Sequence, residues 1–568
     1  MIMKGHLGTA LTIFMLALLW YPAAVQAQTT GNCEPGEAST DLDVNNVRAR
    51  LFNAGNLFWR GAGNVYNVPK SPEDEPIRPN AIFVTTLWMG GMVDEELRMA
   101  AASYGGWEFW PGPLTESGEL PNPNDCSSYD RIYSVYRDDI EHYNQTGEAA
   151  TDLLEWPWHL GAPVLDGDGN PDNYDLEAGD RPALIGDQMA WWVMNDVGNV
   201  HETTDTSPMQ MEAQVSAFSF NLAGALGNTT FYRYKLHYKG EEPLEDAWFG
   251  FWIDVDLGYY LDNLAGTDTT LRMVYVYNVD DFDEGEDGYG AAPPALGYSF
   301  VQGPLALPDG RDNDRDGEVD EPGERLRMTR SQQNGHDASI IGHPHTARDY
   351  YNQLRGHWND GTQMCFGGNG HRSWAPCTGT AHFMYPGDPI TGEYWSMVNM
   401  DGNGNQGGSG ALGYFLFSTG PFHMEPGEKE EIVLAIVWSR GDDHLDSIRQ
   451  LRTDMKVVQK AYPSISIPDS TLTEREPPDL PESLAYAENY PNPFTTTTTL
   501  HYELPRAEQV TLRVYDVLGR EVAMLVDREQ EAGFYNVEFD GSALSPGVYL
   551  YRLQVGVAET AGLMVRVK

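Results

Sequence analysis

The sequence predicts a mainly β, multi-domain protein: a β-sandwich-rich body with one late helix, followed by a C-terminal immunoglobulin-like β-sandwich. Three observations point there. Short apolar runs recur between turn residues, as in Ala81-Ile82-Phe83-Val84-Thr85-Thr86-Leu87-Trp88 before Gly90-Gly91. The 59 glycines and 36 prolines suit many turns, while an apolar share of 41% still supplies a core. And 568 residues are too many for a single hydrophobic core.

Residues 1–27 carry an early Lys4, an apolar run over 11–20 and a small-residue exit ending at Ala27. That is the three-part plan of a secretory signal peptide. The run is short for a membrane span and no other long apolar stretch follows, so no transmembrane segment is expected in the mature chain. Two β-rich parts of the body are expected next, over 28–210 and 211–461. In the second, Phe231-Tyr232-Arg233-Tyr234-Lys235-Leu236-His237-Tyr238 alternates with period two, predicting one face in a core and one toward water. The continuous apolar run Glu431-Ile432-Val433-Leu434-Ala435-Ile436-Val437-Trp438 reads as a strand buried on both faces. After it, Leu445, Ile448, Leu451, Met455 and Val458 recur at helical spacing and predict a helix over 443–461.

Residues 462–485 shift to Pro, Ser, Thr and Glu, a composition that builds no core and reads as a linker. Beyond it, strands are predicted over 499–504, 510–517, 534–539, 548–555 and 563–567, with turns at Leu518-Gly519, Asp540-Gly541 and Ser545-Pro546-Gly547. An antiparallel sandwich over 486–568 follows.

Three ordered motifs lie in this last segment: Asn489-Tyr490-Pro491-Asn492-Pro493-Phe494, Val514-Tyr515-Asp516-Val517-Leu518-Gly519-Arg520, and Gly547-Val548-Tyr549-Leu550-Tyr551-Arg552-Leu553. Together they resemble the type A C-terminal sorting domain of the Bacteroidetes type IX secretion system. The first motif departs mildly, running into Thr495 to Thr499. The resemblance implies export, recognition of residues 486–568 by the type IX secretion machinery, and anchoring to surface lipopolysaccharide or release after processing. It is an address and does not define the chemistry of the body. The body's Phe109-Trp110-Pro111-Gly112-Pro113-Leu114 and Gly186-Asp187-Gln188-Met189-Ala190-Trp191-Trp192 resemble an uncharacterised extracellular module carried by such exported proteins.

Charge narrows the partners. The 84 acidic residues against 36 basic ones leave a net charge of −48, which argues against nucleic acid. Eight of the basic residues are lysines and 28 are arginines. Such a surface suits high salt, where repulsion is screened; it equally suits carboxylate sites for a hard divalent cation. Four cysteines, Cys33, Cys126, Cys365 and Cys377, lack C-x-x-C spacing. In an oxidising destination they predict two disulfides with three pairings open, Cys365 with Cys377 being favoured as the closure of a short Gly-rich loop.

The sharpest local motif is Asp312-Asn313-Asp314-Arg315-Asp316-Gly317-Glu318-Val319-Asp320-Glu321. Oxygen ligands at Asp312, Asp314, Asp316, Glu318 and Asp320 can converge on Ca²⁺ because Gly317 permits the sharp turn. Gly323 stands where an EF-hand places its bidentate glutamate, so Glu321 or Glu324 must substitute; the loop more closely resembles thrombospondin type 3 and dockerin-like loops. A second calcium candidate comprises Asp166, Asp168, Asn170 and Asp172 with Glu177 at the twelfth position, although Pro171 replaces the turn glycine. Asp254, Asp256 and Asp262, and then Asp401 to Asn405, are weaker repeats of the pattern. All-oxygen ligands favour calcium over zinc or copper, in a structural role.

His336, His343, His345, His357, His371 and His382 fall in one stretch with Asp349 and Asp360. They lack an HExxH run or a helical pair, so structural hydrogen bonding is the simpler reading. Gly402-Asn403-Gly404-Asn405-Gln406-Gly407 satisfies a dinucleotide pattern but opens no helix. Tryptophans 107, 110, 156, 158, 191 and 192 are expected mostly in cores rather than on a sugar platform. The resulting expectation is a secreted or cell-surface, calcium-stabilised β protein whose body binds a glycan or protein ligand or serves as surface material. The competing class is a secreted hydrolase acting on polysaccharide or protein.

Overall fold

The computed structural model describes residues 31–567 except 62, 64, 73–78, 106, 125, 309–312, 314–322, 336, 338, 374–376, 403–412, 466–486, 491–493, 505–507, 517–519, 531–532, 546 and 556–557. The expected signal peptide, residues 1–27, lies outside that range.

Two nine-stranded sheets form the body. The first runs in the order Ser39–Leu42, Arg48–Phe52, Asn56–Leu57, Val84–Val93, Leu244–Asp254, Tyr414–Met424, Arg330–Asn334, with Tyr66–Asn67 and Glu96–Ala101 added beside it. The second runs Asn263–Asp268, Met273–Asn278, Ala295–Gln302, Lys429–Ser439, Thr229–Tyr238, Met211–Ser219, Gln188–Asn195, Trp110–Pro111, with Tyr133–Tyr136 also paired to Gln188–Asn195. Both sheets join strands from before and after residue 210, through the pairs Val84–Val93 with Leu244–Asp254 and Gln188–Asn195 with Met211–Ser219, so the division expected there is not one the hydrogen bonding makes.

Side-chain alternation builds the layers. Along Leu244–Asp254, Phe249, Phe251 and Ile253 enter the core between the sheets, while Trp248 and Trp252 face the other way. Along Lys429–Ser439, Ile432, Leu434 and Ile436 enter that same core and Val433, Ala435 and Val437 enter a second core on the outer face, as the unbroken apolar run predicts. The alternating strand Thr229–Tyr238 departs from expectation. Tyr232, Tyr234, Leu236 and Tyr238 are core, but the opposite face is covered rather than wet: Arg233 and His237 are buried. Arg233 pairs with Glu431 on the neighbouring strand, and charge pairing permits its burial, while His237 lies 3.6 Å from Glu212.

The late helix is present as His444–Ile465 and packs on the outer face of the second sheet through Ile448, Leu451, Met455 and Val458. Asp443 accepts the Asp446 N–H at its start, 2.7 Å away. It continues four residues past the expected end because Tyr462 and Ile465 are themselves buried in that core, with Pro463 tolerated in the final turn. The linker therefore cannot begin at 462. Three further helices, Arg137–Thr146, Thr151–Leu154 and Ala347–Leu354, were not expected. Arg137–Thr146 buries none of its residues and so has no apolar stripe to read.

The disulfides are Cys33–Cys126 and Cys365–Cys377, with Cα separations of 5.3 and 5.5 Å. The first fixes the N-terminal segment beside Trp110 and Val197. At the C-terminus, a three-stranded sheet (Ala487–Tyr490, Thr497–Leu504, Gly533–Asp540) and a four-stranded one (Glu521–Gln530, Glu508–Asp516, Gly547–Val555, Ala558–Arg566) share a core of Phe494, Leu500, Leu512, Val514, Leu553 and Met564. Every expected strand is there, and Ala487–Tyr490 and Glu521–Gln530 are two more. The pairing of Glu521–Gln530 is broken by two bulges and its exposure follows no clean alternation, so no period-two signal marks it.

Candidate functional site

The acidic loops divide. Asp312, Asp314, Asp316, Glu318, Asp320 and Glu321 lie outside the described residues, but the base of their loop is ordered. Leu305 bridges Arg325, and the Ala306 N–H donates to the Glu324 carbonyl at 2.8 Å. Glu324 is buried, and its carboxylate accepts the Asn313 N–H, so an acid is drawn into the foot of the loop.

In the second loop Asp166, Asp168 and Asp180 bring carboxylate oxygens within 4.8 Å of one another. The short antiparallel pair Val164–Leu165 and Arg181–Pro182 causes this, since Leu165 is in register with Arg181 and the flanking residues 166 and 180 must then face each other. Asp166 accepts the N–H groups of Asp168, Gly169 and Asn170 at 3.1, 2.6 and 3.2 Å, curling the chain around its oxygen. Asp180 is buried and accepts from Gly167 and Asp175 at 2.9 and 2.7 Å. Of the remaining expected ligands, Asp172 and Glu177 do not join this carboxylate group. The Asn170 side chain accepts the Asp172 N–H at 3.3 Å, and Asp172 and Glu177 are exposed. Asp180 is the ligand-type residue the twelve-position pattern missed; the matched apolar pairs at 164–165 and 181–182 were the available signal. A second group, Asp281, Asp443 and His444, gathers at the start of the late helix. Its geometry is accounted for by the helix cap and by the His444–Asp281 pair at 2.5 Å.

The histidines do not converge. Buried His371 spans Ser373 at 2.7 Å and Asp360 at 3.3 Å, while His357 faces the Arg355 carbonyl at 3.1 Å. His336 lies outside the described residues. His343 and His345 are neighbours, with ring centroids 6.3 Å apart, and His343 belongs to a different assembly.

That assembly covers the outer face of the first sheet. Trp252 lies at its centre, entirely buried, with Tyr414 at 4.6 Å, Tyr104 at 5.2 Å, His343 at 6.1 Å and Trp88 at 6.4 Å between ring centroids. Tyr104 also meets Phe83 at 5.8 Å and Trp59 at 6.0 Å. Helix Ala347–Leu354 roofs one side of this face through Tyr350, Tyr351 and Leu354. It can come close because Gly250 lies beneath it: a β-carbon there would stand 2.8 Å from the Leu354 side chain. The rest is open. Tyr104 is 37% exposed, and Trp59, Phe83, Tyr414 and His343 are part-exposed.

Polar groups border the rings. The Tyr104 hydroxyl donates to the Asp254 carboxylate, and burial together with the Asp254 charge raises its pKa, so the phenol stays protonated. Burial and the adjacent Asp254 charge push Asp256 up to about 7. Burial holds His343 below the usual imidazole range, and its Nδ1 has no hydrogen-bond partner among the described residues. Asp254 thus belongs to this aromatic face, whereas Asp262 lies beside Asp283 and Glu284. Sequence reasoning singled out Trp107, Trp110, Trp156, Trp158, Trp191 and Trp192, of which Trp110, Trp156, Trp191 and Trp192 are core. The exposed rings come from 59, 83, 104 and 414, which share no sequence neighbourhood.

Comparison with known proteins assigns the C-terminus. Residues 488–565 match the family model of the secretion system C-terminal sorting domain. The chain is therefore exported, and is secreted or attached at the cell surface. No curated protein matches it. Among solved structures, a protein titled a polysaccharide lyase aligns over 95% of this chain and 47% of its own length, at 8% identity and a TM-score of 0.23. The chain spans about half the length of that protein, and a score that low does not mark a shared fold. Among the described residues no helix is long and apolar enough to cross a membrane.

Proposed function

We propose that the body is an extracellular binding module, stabilised by calcium and delivered to the surface by residues 486–568, whose ligand seats on the aromatic face of the first sheet. The observation that carries this reading is the open row of Trp59, Phe83, Tyr104 and Tyr414 around buried Trp252. Rings held on a sheet packed on its other face lose little freedom on binding, which is where binding energy concentrates. Calcium at Asp166, Asp168 and Asp180, and at the loop spanning 312–321, would tie down surface loops of the body. Engagement of the type IX machinery, followed by attachment to lipopolysaccharide or release, completes the route. The test is binding of the purified body to extracellular polysaccharides and surface proteins. Tyr104→Ala should weaken capture by about tenfold or more while leaving the melting temperature near that of the parent. Unchanged binding in that variant would remove the aromatic face as the site.

A further inference from the structure

The Cys365–Cys377 disulfide closes a loop, and two side chains of that loop meet a third from outside it. His371 Nδ1 lies 2.7 Å from the Ser373 hydroxyl, and its Nε2 lies 3.3 Å from an Asp360 carboxylate oxygen. A hydroxyl, an imidazole and a carboxylate thus stand in line, the constellation by which a serine is activated, with Nδ1 serving the serine and Nε2 the carboxylate.

The line has a direction. The Ser373 backbone N–H points at the same Nδ1, 3.2 Å away, and an N–H can only donate. Nδ1 is therefore an acceptor, the ring proton sits on Nε2 facing Asp360, and the Ser373 hydroxyl directs its own proton to Nδ1. The members behind the serine are fixed. The other Asp360 oxygen accepts the Thr362 N–H at 3.0 Å and the Thr362 hydroxyl at 2.6 Å. His371 is 5% exposed, with its ring T-shaped against buried Trp358. The Gly370 carbonyl just before it accepts from Trp358 Nε1 at 2.8 Å and from the Cys365 N–H at 2.9 Å. Ser373 itself is exposed. A locked ring therefore aims its lone pair outward, at an oxygen that a substrate can reach. Arg372 reaches the same Asp360 oxygen at 3.4 Å and sets a cation beside the line.

We infer that Ser373, His371 and Asp360 form a hydrolytic centre for carboxylic esters with a short acyl group. Ser373 Oγ bonds to the ester carbonyl carbon as its proton passes to His371 Nδ1, and Asp360 holds the imidazolium through Nε2. The C–O bond to the alcohol then breaks, and the alcohol leaves with the proton from Nδ1. A water gives a proton to Nδ1 as its oxygen bonds to the acyl carbon; Oγ departs, takes that proton back, and the carboxylic acid is released. An exposed Oγ gives a long acyl chain no walls, hence the short acyl group. A flexible, exposed arginine is a weaker oxyanion partner than fixed backbone N–H groups, which favours esters over amides. Ser373 and His371 are the catalytic residues and Asp360 is a positioning residue; none of the three belongs to the aromatic face.

The test treats the full chain, disulfides intact, with a fluorophosphonate probe and separately with p-nitrophenyl acetate. Ser373→Ala, His371→Gln, Asp360→Asn and Asp360→Glu are run in parallel, with thermal melting to verify folding. The probe should attach to Ser373, located by peptide mass spectrometry, and p-nitrophenyl acetate should turn over repeatedly. Ser373→Ala removes only an exposed hydroxyl and should abolish both. His371→Gln should slow both about 100-fold or more. Asp360→Asn turns an amide N–H toward Nε2 and drives the ring proton onto Nδ1, so kcat should fall about 100-fold or more with KM unchanged. Asp360→Glu should restore part of that loss, whereas a purely structural aspartate would lower the melting temperature without splitting kcat from KM. An unlabelled Ser373, or labelling at a rate that His371→Gln and Asp360→Asn leave untouched, would overturn the centre. Labelling without turnover, or turnover that survives Ser373→Ala, would overturn the assignment of ester hydrolysis to these residues.

Discussion

Gly167 and Gly179 meet backbone to backbone at the mouth of the second acidic loop: a β-carbon on Gly167 would lie 2.4 Å from the Gly179 carbonyl carbon. Their contact lets Asp166 and Asp180, next to each in the chain, present oxygens to one point. Any side chain at 167 must part the two backbones, so Gly167→Ala acts on the proposed cation site through geometry alone, with every carboxylate retained.

Calcium content should therefore fall by one ion per chain in Asp180→Asn and in Gly167→Ala, measured by equilibrium dialysis, and stay unchanged in Glu177→Gln. At about 100 times its dissociation constant, one calcium ion adds about 2.7 kcal/mol to folding stability. The chelator-sensitive part of the melting temperature should shrink accordingly in the first two variants. An undiminished calcium count in Asp180→Asn would show that the loop binds no ion.

The Cys33–Cys126 bridge spans 93 residues of sequence. Replacing both cysteines with alanine should cost about 2–4 kcal/mol, mostly by freeing the unfolded chain. Urea unfolding of the double variant measures it, and a loss under half a kcal/mol would mean that the surrounding packing already holds the segment.

Asp454 lies fully buried on the late helix, where the Ser439 hydroxyl donates to one carboxylate oxygen and Gln450 donates to the other at 2.9 Å. Burial raises it from 3.8 to about 6, against the lowering effect of those two bonds. Its folded form thus favours the proton, so the stability it contributes is full below pH 4 and is lost as pH rises through 6. Asp454→Asn keeps the Ser439 bond, and Gln450 can turn its amide to accept. Relative to the parent, this variant should gain about 2 kcal/mol between pH 4 and pH 7. A difference that stays flat across that range would show that Asp454 does not titrate there.

Removing residues 487–568 should leave the melting temperature of the body unchanged and abolish its appearance at the cell surface. Protease accessibility on intact cells reads the second effect. Undiminished display of the truncated chain would assign sorting to another segment.

The strands were legible where burial imposes a simple period. Glu431 to Trp438 announces a strand with a core on each side, and Leu445 to Val458 announces the helix that covers one of them. Arg233 and His237 misled because a polar or charged residue signals water in sequence, whereas here Glu431 on the adjacent strand neutralises Arg233 and His237 lies beside Glu212. The second acidic loop was half legible: Asp166 and Asp168 are local, but Asp180 joins them through strand pairing that a fixed spacing cannot express. The aromatic face was not legible, since Trp59, Phe83, Tyr104 and Tyr414 become neighbours only once four separate segments are brought to one sheet.

Strand Lys429–Ser439 pairs on one side with Ala295–Gln302 and on the other with Thr229–Tyr238, while Tyr414–Met424, just before it, sits in the first sheet between Leu244–Asp254 and Arg330–Asn334. Each is the keystone of its sheet. As the chain is synthesised, the halves of the second sheet wait for Lys429–Ser439, and in the first sheet the edge strand Arg330–Asn334 waits for Tyr414–Met424 to join it to the rest. Contacts so distant in sequence make for slow, all-at-once assembly with long exposure of unfinished edges. The sorting domain emerges only after the keystones, so the address is completed last, when the cargo it carries has all the strands it needs to close.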